Sequence, residues 1–182
     1  MLPDETPDGH GVADEWPPGE APAQPWRRVV ARLVDGLIIA AVAAAIAVVG
    51  AALSGGLLDQ EPGAEPPVWI FYVSFLVGAI YEIAFIARSG QTPAKRLLQV
   101  RVVSMPSGGV PEVSAAVIRW FVVAGIVSLP SPPGVQLLLV IVVAGVCLVP
   151  MFTRADRRGL HDRFSATAAV AAPPVPPPSP WA

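Results

Sequence analysis

Three ionisable residues lie where the chain is otherwise apolar: Asp35, Glu82 and Arg119, each in a different hydrophobic run. A charged group at the centre of a lipid-facing helix costs roughly 2.5–3.5 kcal/mol on insertion scales, so such groups turn to a bundle interior and pair. Asp35 comes seven residues after Arg28, Glu82 six residues before Arg88, and Arg119 seven residues after Glu112. At a rise of about 1.5 Å per residue, Asp35, Glu82 and Arg119 then fall at a similar depth, about 9–10 Å from one membrane surface. This coincidence predicts that Arg119 sits between the first two helices and neutralises Asp35, Glu82 or both. Arg28, Arg32 and Asp35 share one helical face. Arg28 is expected to snorkel to lipid phosphates while Asp35 points into the bundle. Two acids against one base leave one exchangeable charge, as a proton- or sodium-coupled carrier needs. The plainer reading is an ion-pair cluster that only fixes helix register.

The runs that must position these groups are four, at about 33–53, 68–87, 113–129 and 135–152. Lipid leaves no partner for open backbone groups, so each run is predicted to be a helix. All twelve basic residues lie before the first run, between the second run and the first half of the third, or after the fourth. Lysine and arginine near span ends stay cytoplasmic, which puts both termini inside. The expected fold is all-α: an integral membrane bundle of four transmembrane helices in the cell (inner) membrane. The alternative has three spans, with the third run lying on the surface. It would carry four C-terminal arginines outside, against the charge rule. The link Pro130 to Gly134 suits a helical hairpin, and Pro150 predicts a break or kink. Gly36, Ala40, Ala44, Ala47 and Ala51 form a small-residue spacing that permits close helix contact. An alanine-rich genome would give the same pattern.

The 182 residues are 53% hydrophobic and only 14% charged, well below a soluble domain's usual share. The lone Cys147 excludes an internal disulfide, and two histidines are too few for a structural zinc site. No cofactor, metal or nucleic-acid partner is expected. Lipid, anionic headgroups and a second copy of the chain are. Residues 1–26 are acidic and proline-rich, with no secretory signal or lipidation motif, and read as a disordered cytoplasmic tail. Residues 171–182 form a second proline-rich tail. The transmembrane domain is assigned to 27–170.

The connecting segments carry their own signals. Ser89-Gly90 should end the second helix, with Thr92 capping the next and Pro93 in its first position. Lys95, Arg96 and Arg101 are expected to face headgroups. Gln99 to Ser104 alternates like a strand before a turn at Pro106 to Gly109. A sharper reading makes this segment a gate or ligand cradle beneath the Asp35–Glu82–Arg119 cluster. His161 and Asp162 are sequence neighbours that do not face each other on a helix, and no nucleophile accompanies them, so catalysis is not expected. Asp162 should pair with an arginine or cap its segment, and His161 has the ordinary pKa of a cytoplasmic pH sensor.

The stretches RVVARLVD at 28–35, GQTPAKRLLQVRVV at 90–103, Ala116 with Arg119, and RGLHDRFSAT at 158–167 resemble, in that order, the RDD family of small bacterial membrane proteins. The family is named for one arginine and two aspartates, which correspond by motif to Arg28, Asp35 and Asp162. Gly90, Thr92, Lys95, His161 and Thr167 match further motif positions. Ala94 departs from the family, which commonly has glycine there, and many members have three spans. The resemblance implies transport of ill-defined ligands, with cation–proton exchange in some members. The competing function is a membrane anchor or regulatory subunit whose proline-rich tails contact a partner, and an intramembrane enzyme ranks third.

Overall fold

A computed structural model describes residues 17, 20–53, 68–128 and 131–172. Most of both predicted tails, and the link between the first two runs, lie outside the described residues. Helix α1, Pro25–Leu53, begins two turns before the apolar run that announced it. Those early turns carry Arg27, Arg28 and Arg32, whose side chains find partners in the fold. Helix α2, Val68–Ser89, packs against α1. At their far ends Gly50 admits the Trp69 ring, which a β-carbon would meet at 2.4 Å.

Gly90 ends α2 at φ +69°, a conformation glycine adopts without penalty. A β-carbon there would also lie 2.3 Å from the Val102 carbonyl. The chain then forms the short helix α3, Pro93–Leu97, and strand β1, Val100–Ser104. The predicted cap, first-position proline, strand and turn are all present. Gly108 occupies the turn at φ +66°.

The third run starts as helix α4, Val113–Trp120, widens into a π turn over Phe121–Gly125, and closes with a 3-10 turn over Ile126–Ser128. The Ile126 N–H reaches back five residues to the Phe121 carbonyl. The Phe121 ring lies 2.5 Å from where a Gly125 β-carbon would stand, so any larger residue would have to displace that ring. Helix α5, Pro133–Thr153, returns antiparallel: the end of the third run packs on α5, and α4 packs on the segment that follows α5. Pro150 does not end α5, which runs on to Thr153.

Helix α6, Leu160–Phe164, and strand β2, Thr167–Ala171, complete the chain. Strand β2 pairs antiparallel with β1, Val102 opposite Ala169. On the other edge of β2, Ala23 donates to the Ala169 carbonyl and Ala171 to the Ala21 carbonyl, both at 2.9 Å. The segment before α1, the α2–α4 link and the segment after α5 are therefore joined in one cap, on one side of the bundle. Its core lies on both faces of β1: Val102 packs with Ile86 and Ala116 on one, and Val103 with Ala168 and Val170 on the other.

The fold is thus a mostly helical membrane bundle. Among the described residues three helices are long and apolar enough to cross a bilayer, and Val113–Ser128 is a shorter apolar one. The two-stranded sheet is an addition to the all-α expectation. Its second strand, TAAVA, is alanine-rich and carries no strand signal of its own. The α1 stripe does not serve as an internal seam, since Gly36, Ala40 and Ala44 are exposed.

Candidate functional site: a buried ionic network under the bundle

Asp162, fully buried in the first turn of α6, is the hub of the cap. One carboxylate oxygen accepts from Arg28 on α1 and from the Gly159 N–H at 3.1 Å. The other accepts from Arg119 on α4. Arg28 also donates to the Arg157 carbonyl at 2.5 Å, and Arg119 to the Thr167 hydroxyl at 2.9 Å. Asp162 thus ties α1 and α4 together, reaches β2 through Arg119, and caps its own helix. Gly159 permits this approach: a β-carbon would lie 2.5 Å from the Cys147 carbonyl of α5 and 2.8 Å from the His161 ring.

The second centre lies on α1 and α2. Asp35 accepts from Tyr81 at 2.8 Å and from the Thr92 hydroxyl at 2.5 Å. The same hydroxyl accepts the Lys95 N–H at 3.3 Å, so Thr92 both caps α3 and holds Asp35. Lys95 Nζ stands 3.7 Å from Asp35 and 3.9 Å from Glu82, and Arg32 grips Glu82. Two carboxylates thus share one ammonium, with a guanidinium on the outer flank.

The sequence-predicted residues are therefore brought to one layer, but with different partners. Arg119 does not neutralise Asp35 or Glu82; it pairs with Asp162. Arg28 is buried against Asp162 rather than reaching for lipid. Lys95 faces inward, whereas Arg96 is exposed and Arg101 pairs with Glu20. The expected surplus of one acid is cancelled, because Arg32 and Lys95 both serve the acidic pair. Depth along a helix was legible, but azimuth was not, and the segment after α5 folds back under the bundle to supply a third acid. Ala94 is buried inside helical α3, so no glycine turn is needed there.

Sequence reasoning missed three contributors. Tyr81 holds Asp35, Arg32 holds Glu82, and buried Arg158 donates to the Thr167 carbonyl at 3.2 Å and the Asp162 carbonyl at 3.5 Å. Tyr81 carried a usable signal, as a polar tip beside Glu82 in an apolar run. Arg158 carried none beyond its motif neighbours.

The cap sets the charge states of the groups outside the spans. Burial pushes the Asp162 carboxyl up, but Arg119 and Arg28 outweigh it and hold the group well below the usual carboxylate range. Burial lowers His161 to about 3, with Asp162 opposing, so His161 does not titrate in the cytoplasmic range expected of it. Burial also lowers the Lys95 amine, against the pull of Glu82 and Asp35. The His161–Asp162 contact, at 3.5 Å, is no relay, because both Asp162 oxygens are committed to arginine.

Two hollows adjoin this network. One, about 50 Å³, is lined by Arg28, Arg32, Glu82, Lys95, Arg119 and His161 among others. The second, about 220 Å³, starts at Arg32 and Glu82 and follows Gly36, Gly78 and Ser74 to Ser128.

A polytopic bundle whose helices are locked by a buried carboxylate–guanidinium cap defines a small integral membrane protein. Residues 22–166 match the RDD family, and the chain belongs to it. No curated protein and no solved structure matches the chain. The three residues matched to the family name divide between the two centres: Arg28 and Asp162 form one pair, and Asp35 belongs to the other.

Proposed function

We propose that the protein carries ions or small solutes across the cell membrane, with the cap on the cytoplasmic side. The observation that supports this most is the crevice between α1, α2 and the third run. It begins at the Glu82–Arg32 pair and is floored by two glycines, with serine hydroxyls at Ser74 and Ser128. Intramembrane ionisable groups beside a cavity mark ion pathways. Asp35 and Glu82 share Lys95, so protonation or cation entry at either one frees the ammonium to the other. That is the exchange step of a cation–proton carrier. The role is non-catalytic. A chain this small would work best as a symmetric oligomer, with each copy contributing one crevice.

Vesicles containing the purified chain test the proposal. An imposed pH gradient should collapse on adding sodium or potassium salt, and Asp35→Asn or Glu82→Gln should abolish the collapse while insertion stays normal. Flux equal to that of empty vesicles, or unchanged in both variants, would leave the anchoring role in its place.

A further inference from the structure

The smaller hollow has a charge the carrier reading does not use. Four cationic side chains, Arg28, Arg32, Lys95 and Arg119, line it, and among the described residues Glu82 is the one carboxylate in its wall. Counting the acids behind them, Asp35 and Asp162, four cations meet three carboxylates and leave one positive charge over. Arg158 adds to the excess, because it donates only to carbonyls among the described residues. His161, held neutral by burial, adds nothing.

The donors are also underused. A guanidinium carries five N–H bonds and an ammonium three. Among the described residues Arg119 donates only through Nη1, and Arg32 only to Glu82. Lys95 is buried, and its ammonium has both carboxylates beyond hydrogen-bond distance, at 3.7 and 3.9 Å. A buried ammonium without an acceptor is costly. The hollow of about 50 Å³ exceeds the roughly 10–15 Å³ that one water needs. It is too small for a bulky organic anion such as gluconate.

We propose that this hollow is an anion site, taking a monatomic or small planar inorganic anion such as a halide or nitrate between Lys95, Arg32 and Arg119. The anion accepts from the unused donors and cancels the surplus charge. The site does not depend on the carrier reading, since binding is measured in detergent without flux.

The test is thermal unfolding of the purified full chain in sodium gluconate, with gluconate replaced stepwise by bromide at constant ionic strength and pH. Bromide should raise the unfolding midpoint in a saturable way. Arg32→Gln, the least buried of the wall cations, should weaken the apparent bromide affinity roughly tenfold, as expected for one charged hydrogen bond. Glu82→Gln removes the acid from the wall and should tighten it. A purely structural ion-pair network predicts that both variants lower the midpoint and neither changes its bromide dependence. Should a variant not fold, chloride-35 line broadening by the wild-type chain, reversed by nitrate, decides alone. Identical midpoints in gluconate and bromide with no line broadening would show that the hollow holds water only.

Discussion

Asp162 and Asp35 are both buried aspartates of the family motif, yet their surroundings predict different costs of neutralisation. Asp162 faces two guanidinium groups, so Asp162→Asn strands two buried charges and should cost about 3–5 kcal/mol in equilibrium unfolding in detergent. Asp35 is held mainly by two hydroxyls, one on each oxygen; in the amide one can still donate to the carbonyl oxygen and the other can turn to accept from the NH2. Asp35→Asn should therefore cost clearly less, about 1–2 kcal/mol. Equal losses would contradict this division. His161 supplies a pH test at the same scale. Its folded pKa is depressed from an ordinary 6.5 to about 3. The stability it supports is then complete above about pH 6.5 and is lost as pH falls toward 3. Asp162 is depressed as well, but from 3.8, so its contribution disappears only below that value. Between pH 6.5 and 4 the unfolding midpoint should fall in the wild type, and His161→Gln should flatten the slope.

The connecting elements carry the precision of the cap. Gly90 turns the chain out of α2 and touches β1, and Thr92 starts α3 and binds Asp35. Gly90→Ala meets both a left-handed backbone and a 2.3 Å clash, and should cost about 1–3 kcal/mol as a drop in unfolding midpoint. Much of this was legible, because capping hydroxyls, first-position prolines and turn glycines act through local backbone geometry. The apolar runs were legible for the same reason, by length and composition. The partners of Arg28 and Arg119 were not. They depend on where an alanine-rich strand and a six-residue turn after α5 return, and no local preference records that. In the 88–112 segment Thr92 and Lys95 turn to Asp35 and Glu82 instead of to headgroups.

At the scale of the molecule, the cap gathers three distant segments on one side, and the link between the third run and α5 lies at the other. Single cysteines in a Cys147→Ala background test this arrangement. A cysteine at Ser131 should react with a membrane-impermeant maleimide in intact cells, and one at exposed Ser107 only after permeabilisation. Matching reactivity at both positions would contradict the hairpin formed by the third run and α5. The account rests most heavily on charges from separate helices meeting below the bundle rather than facing lipid. A double-mutant cycle between Arg119 and Asp162, using Arg119→Gln and Asp162→Asn in detergent unfolding, measures that meeting. Coupling of at least about 1.5 kcal/mol is predicted, with the double variant more stable than the sum of the single losses allows. Strictly additive losses would mean that these two side chains do not meet.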